Sequence, residues 1–581
     1  MAFCSACGSL LVGGVIGAHE LQGRDPEDPR FNIKGSLIDG RFFQQNATAY
    51  DATIAAHAPY VLPDFTNGTP SVVLRGADLT VLAKTATAYN VTAPPAGGDA
   101  AAFGGARIVG LGLLTGRGDG AGGIQLQASA NNMQLTNNIL ENNGGIVAGG
   151  IGLGQPFVHG SHNYNVRVAN SRLIGNGGLT QSGGLGIFYD SNNYDVANNI
   201  MCSNFSVNYG AGIAHIGLSP GGRIHDNKIY YNDAVDSGAG LAIESELVQG
   251  NPSALGTGTG NVNVDRNLIQ SNYSGDDGGG IFVLDALDQP IKIRSNMIVN
   301  NGASDIGGAV MLDDASKVAF VNNTVANNVS TASSENSAIG VPHAAGLAAE
   351  GNDSAWQTDP RYIAQYPIAA DRPDFANPVA LFNNVFWNND AQTLDSFGPG
   401  ATLTSQGFID FEVHGSTISS SDTFTPRYST LTNGLSLRPN GQQLQVPGGQ
   451  GNRIGEDPLF VTPFVNELTV SGSRLDPQAA AVTITGQDPP VGLTGDYHLQ
   501  TTSPAIDRGV RCANTPVPPN NPLLACAAGV IQAPSGAPPT GQGDYDRQLR
   551  PQLRTLRVLT PWDLGADELL GVPIGIPPQL P

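Results

Sequence analysis

Polar and apolar positions recur along this chain in one short pattern: Asn, any residue, an apolar residue, two further residues, then Asn again. It stands at Asn138–Asn143 (NILENN), Asn199–Asn204 (NIMCSN), Asn227–Asn232 (NKIYYN) and Asn267–Asn272 (NLIQSN). It continues at Asn296–Asn301 (NMIVNN), Asn323–Asn328 (NTVANN) and Asn384–Asn389 (NVFWNN), with a degenerate copy from Ser171 (SRLIGN). Steps between successive copies are 33, 28, 28, 40, 29, 27 and 61 residues. Each copy leads to a Gly-rich turn and a second apolar stretch, as at Gly149-Gly150-Ile151, Gly183-Gly184-Leu185, Gly279-Gly280-Ile281 and Gly307-Gly308-Ala309.

Two or three short strands per repeat cannot bury a face alone, but stacked repeats can. Helical periodicity is missing, and Gly at this density weakens helices. The pattern therefore predicts an all-β chain folded as a right-handed parallel β-helix, a solenoid whose coils pair at the ~4.8 Å strand spacing. Equivalent Asn residues should stack, each amide bonding to the next and to turn backbone.

Alternation assigns the faces. The strand before the first Asn points Val166/Val168, Val196, Ile224, Val262/Val264, Ile291/Ile293 and Val318/Phe320 inward. It points Arg167, Asp195, Arg223/His225, Asn263/Asp265 and Lys292/Arg294 outward. The strand after the Gly turn is expected to present Phe188, Ala214/Ile216, Ala242/Glu244, Phe282/Leu284 and Val310/Leu312 outward, with His215 as a hydrogen-bonded core residue. An apolar outer column implies a cover, either a loop insertion or another domain or subunit.

The repeats weaken toward both ends. Residues 1–105 read as an N-terminal cap and irregular first coils, 106–510 as the β-helix, and 511–581 as a loop-rich closing segment. Stretches 329–378 and 395–450, rich in Pro, Ser and aromatics, read as insertions large enough to be lids. Farther on come Asp457-Pro458-Leu459-Phe460, Asp496-Tyr497-His498-Leu499, Ser503-Pro504-Ala505-Ile506-Asp507, Asp544-Tyr545-Asp546, Arg550-Pro551 and Asp563-Leu564-Gly565-Ala566-Asp567-Glu568. This ordered series resembles the DPLF, DYHL, SPAID, DxDGxxRP and DIGADE signatures that close many secreted bacterial β-helix proteins of the pectate-lyase-like fold. Arg547 departs from it, standing where that series usually has Gly. The resemblance implies the fold, not an activity. Similar segments occur in large bacterial surface proteins, some with multicopper-oxidase-type domains. No copper site is expected in this chain, whose nine His include no HxH and whose nearest pair is His159/His162.

Charge narrows the partners. With 28 Lys+Arg against 49 Asp+Glu, the formal charge is -21, which speaks against nucleic-acid binding. An apolar content of 40% suffices for a core. The early apolar run Ser9 to Ala18 is too short to span a bilayer, so no membrane span is expected. No basic residue precedes Arg24, so no export signal is evident, and the chain reads as a piece of an extracellular or cell-surface protein. Cys4 and Cys7 form a lone CxxC, Cys512 and Cys526 could close a disulfide, and Cys202 reads as a buried thiol.

Two chemistries are candidates. Asp195, Arg223, His225, Asp265, Lys292 and Arg294 form a charged outward patch of the kind a lyase, epimerase or hydrolase would use on an acidic polysaccharide. Asp195 and Asp265 stand two coils apart, ~10 Å or more, which is wide for a glycosidase pair. The same patch also reads as a ladder of ion pairs, such as Asp265 beside Arg294. Acidic residues where the second strand ends, Asp190, Glu244, Asp285 and Asp313, are candidate calcium ligands, since hard cations take several oxygens. Without a nucleophile elbow, a phosphate loop or a complete catalytic constellation, the favoured expectation is a non-catalytic scaffold or binding module.

Overall fold

A computed structural model describes residues 121–509 with breaks, the longest at 246–254, 473–479 and 486–494, together with 563–566. It also describes the strand backbones of Leu37–Asp39, Val72–Arg75 and Thr80–Val81 and of three short strands between 107 and 118. The cysteine pairs, Asp544–Asp546, Arg547 and Arg550-Pro551 lie outside the described residues.

The chain is a parallel β-helix, and each coil has four faces rather than two or three. One coil shows the order: Asp195–Ala197 on face I, Ile200–Cys202 on face II, Phe205–Ser206 on face III and Ile213–Ile216 on face IV. Among the described residues these faces hold nine, twelve, ten and thirteen strands, parallel except for three antiparallel strands at sheet edges. Face III escapes a reading by periodicity because most of its strands are only two residues long, such as Gly177–Gly178 and Tyr273–Ser274.

Corners are set by the Asn pattern. The residue before the first Asn of each copy takes a left-handed conformation, as at Asn198 (φ 55°), Asp226 (57°), Arg266 (54°) and Asn322 (56°). That conformation turns the chain sharply, and Asn adopts it more readily than most residues. The next Asn is buried inside the corner and binds its equivalent in the following coil. Asn199, Asn227, Asn267 and Asn296 each donate a backbone N–H and a side-chain amide hydrogen to the following Asn Oδ1, at 2.9–3.1 Å. Asn204, Asn232, Asn272 and Asn301 do the same one corner later. Two ladders therefore run along the rod.

The core is the inward half of the alternation. Val168, Val196, Ile224, Val264, Ile293 and Phe320 of face I meet Leu173, Met201, Ile229, Ile269 and Ile298 of face II in one buried cluster. His215 lies inside it, bonded through Nδ1 to the Tyr194 hydroxyl (2.7 Å) and through Nε2 to the Thr259 carbonyl (2.9 Å). Burial pushes its pKa down to about 4. Cys202 is a buried thiol.

The structure corrects two points. Val310 and Leu312 face the core, because Ile281 pairs with Val310 and Val283 with Leu312, leaving Met311 and Asp313 outward. Gly307 matches the left-handed Gly278 rather than Gly279, so the apparent Gly pair is read one residue early. A one-residue slip exchanges the two faces of a strand. Nor are 329–378 and 395–450 plain insertions. The first adds Val329–Ser330 to face III and Leu347–Glu350 to face IV, then a two-helix excursion, Ser354–Thr358 and Pro360–Gln365. The second adds Phe411–His414 and Leu435–Leu437 to face IV and Thr430–Leu431 to face II.

The outer apolar columns are covered by the chain itself. Phe282 lies beneath Tyr209, ring planes 12° apart, with Ile306, Met311 and Ala348 beside it, so the face III–IV turns supply the lid. On face II, Leu268, Met297, Val299 and Val385 are covered by Phe460, Tyr497, Leu499, Leu564 and Ala566 from the C-terminal motifs. Gly565 N–H donates to the Asn383 carbonyl and Ala566 N–H to Thr324 Oγ1.

Asn267 makes four ladder bonds, so Asn267→Leu should strand several buried groups at once. A cost of about 3 kcal/mol is expected from ~1–3 kcal/mol per group left unpaired. Denaturant unfolding checks it, and Asn263→Leu, on the half-buried outer side of face I, should change stability far less.

Candidate functional site

Face I carries the predicted charged patch, and register explains its layout. Arg167, Asp195, Arg223, Asn263 and Lys292 form one outward row, and His225, Asp265 and Arg294 the next. Asp195 is held by His225 Nε2 at 2.8 Å, Arg167 at 3.3 Å and Arg223 at 3.7 Å. His225 Nδ1 lies 2.6 Å from Asp226, which takes a two-bond clasp from Arg266 (2.9 and 3.1 Å). Asp265 takes the same clasp from Arg294 (2.9 and 3.0 Å). Burial works against ionisation of Asp226, but the His225 and Arg266 bonds outweigh it and hold the carboxyl below the usual range. Burial likewise disfavours charge on His225, yet Asp195 and Asp226 raise its pKa. Lys292 is shifted down, by burial and then by Arg294. The candidate catalytic carboxylates are thus engaged by their neighbours.

A second concentration of charge lies on face IV and its flanking turns. The outward row running Phe188, Ile216, Glu244, Leu284, Asp313 changes from apolar to acidic along the rod, and Glu350 is paired with His414 farther on. The face III–IV turns add Asp236, Asp276, Asp277, Asp305 and His343, and the ends of face IV add Asp285, Asp314 and Asp353. The band carries Glu244, Asp285 and Asp313 of the predicted calcium set but not Asp190, and Glu244 and Asp313 stand two coils apart, so the three do not converge as ligands of one ion. Asp190 is turned to His162 Nδ1 (2.7 Å) and the Asn192 amide (2.8 Å).

Glu244 is fully buried, and neither of its carboxylate oxygens has a hydrogen-bond partner among the described residues. Burial, then Asp236 and Asp285, push its pKa well above the carboxylate range. Burial and Glu350 do the same to Asp313. Burial, then Asp353, raises Asp285 to about 6, and burial raises Asp314 to about 8 although it accepts the Asp353 N–H at 3.0 Å. Within the band, three acids converge at Asp276, Asp277 and Asp305, and a mixed group at His343, Glu412 and His414.

His343, Glu412, Glu350 and Asp305 escape a sequence reading. His343 and Asp305 stand in turns, and Glu412 and His414 lie in a stretch that looks like an insertion. The one local signal is Glu412-Val413-His414, where strand alternation places both polar side chains on the outer side.

Comparisons with protein-family models, curated proteins and solved structures return no match. The fold assignment rests on strand register and the Asn ladders. Among the described residues, no helix is long and apolar enough to cross a membrane.

The band makes stability pH-dependent. Asp285 and Asp314 bind protons more tightly folded than unfolded, so between about pH 4 and pH 8 the folded state holds more protons and stability falls as pH rises. Thermal melts should therefore show a higher midpoint at pH 5 than at pH 8. Asp285→Asn with Asp314→Asn should narrow that difference.

Proposed function

We propose that the chain is a non-catalytic β-helix module, a rigid rod giving spacing and binding surface to a bacterial surface assembly outside the cell. The observation that carries this is the state of face I. Asp195 and Asp265, the carboxylates best placed to meet a glycan there, are each clasped by cationic neighbours, Asp265 through two parallel bonds to Arg294. Partly buried clasps of this kind tie adjacent coils together and leave little free charge for a substrate. The chain also seals its own outer columns on faces II and IV, which suits a rod. Exposed Leu179, Phe205 and Val235 along face III and its corner are the apolar contacts such a module offers to another domain or subunit.

A second function has one observation in its favour. Asp314, raised to about 8, holds its proton near neutral pH, the state required of a general acid in a polysaccharide lyase or hydrolase, while Asp285 at about 6 is mostly ionised beside it. Purified protein should release neither unsaturated product from uronate polymers nor reducing ends from neutral glycans. Turnover lost in Arg294→Ala would overturn the scaffold and place chemistry on face I. Turnover that survives Arg294→Ala but not Asp314→Asn would place it in the acidic band.

Calcium is the hard cation such an acidic band would attract, with Glu244, Asp285 and Asp313 contributing charge along it rather than converging as one ligand shell. Added calcium should raise the thermal midpoint at pH 8, and a chelator should reverse it. No shift on addition would remove calcium from the account.

A further inference from the structure

We propose that His343, Glu412 and His414 form a binding site for a divalent transition metal, with zinc the metal of choice. Strand alternation puts Glu412 and His414 on the outer side of face IV, and the preceding coil's turn brings His343 over them. His343 Nδ1 lies 3.0 Å and His414 Nδ1 3.4 Å from the same oxygen, Glu412 Oε1. Ligands about 2.0–2.1 Å from a tetrahedral zinc stand roughly 3.3 Å from one another, so both histidine–glutamate spacings are already close to those of a zinc shell, and the three ligand atoms all lie within 4.8 Å of one another. Two imidazoles and a carboxylate are a donor set that transition metals favour and calcium does not.

The alternative is a buried ion pair in which imidazolium simply faces carboxylate. What favours a metal is how the three groups are supported. His343 Nε2 faces Asp305 Oδ1 at 3.3 Å, and Asp305 Oδ1 accepts the Ser337 hydroxyl at 2.9 Å. A carboxylate behind the far nitrogen fixes the ring of a metal-bound histidine and leaves the near nitrogen free to ligate. The other Glu412 oxygen accepts the Ala344 N–H at 2.6 Å, which holds Oε1 toward the two rings. Solvent reaches the group through His414, 30% exposed, so three protein ligands leave a fourth position open to water.

The test uses the full chain and zinc chloride alone. After dialysis against excess zinc and then buffer, the wild type should retain one equivalent that His414→Ala does not. His162→Ala should retain it too, since His162 and Asp190 form a separate pair. His414→Ala should bind zinc at least about tenfold more weakly in a chelator competition. X-ray absorption on the zinc-loaded wild type gives a readout that needs no variant, and two imidazole ligands are expected. No retained zinc, unchanged binding in His414→Ala, or fewer than two imidazoles in the shell would each overturn the site.

Discussion

Everything in this molecule hangs on the buried Asn at each corner. A left-handed residue turns the chain, and the Asn after it would leave a backbone N–H and its own amide stranded in the core. The following coil answers both with one Oδ1, while the Asn amide also reaches a strand carbonyl of the coil before, as Asn267 Nδ2 does to the Ile224 carbonyl at 2.9 Å. Buried polar groups are costly unless paired, so each coil specifies where the next must lie. Register then follows without help from the outer side chains. Some Gly are required because backbones crowd: a Cβ on Gly240 would stand 2.5 Å from the Gly280 carbonyl oxygen.

With register set from inside, the outward positions can differ from face to face. Face I spends its charges on one another, so Asp265 and Arg294 join neighbouring coils. Face II is apolar and is roofed by the chain's own C-terminal motifs, which pack Phe460, Tyr497 and Leu564 against it. Face IV grades from Phe188 and Ile216 to Glu244 and Asp313, and its acids repel one another in a poorly solvated strip. That strip stores unfavourable charge that protons or cations can relieve.

The ladders were legible in the sequence because an Asn that must meet its equivalent tolerates almost no drift in spacing within a copy. Inward residues of face I followed from alternation, and so did the pairing of Asp265 with Arg294. Val310 and Leu312 were misplaced because a left-handed Gly and a crowded Gly look alike in sequence, and Gly307 is the former. The His343–Glu412–His414 group was hidden because 68 residues separate Ala344 from the Glu412 that binds it, with a helical excursion between. The return of the C-terminal segments across face II was not legible, since packing such as the cluster that holds Leu564 and Val385 carries no local sequence signal.

Hydrogen exchange on the full chain tests the central claim most directly. Backbone amides of Asn199, Asn227, Asn267 and Asn296, and of Asn204, Asn232, Asn272 and Asn301, should be among the slowest to exchange and should share similar protection along the rod. Exchange at those eight positions as fast as at Asp236 and Asp276 in the outer turns would contradict the account, because the corners would not then be what holds the coils in register.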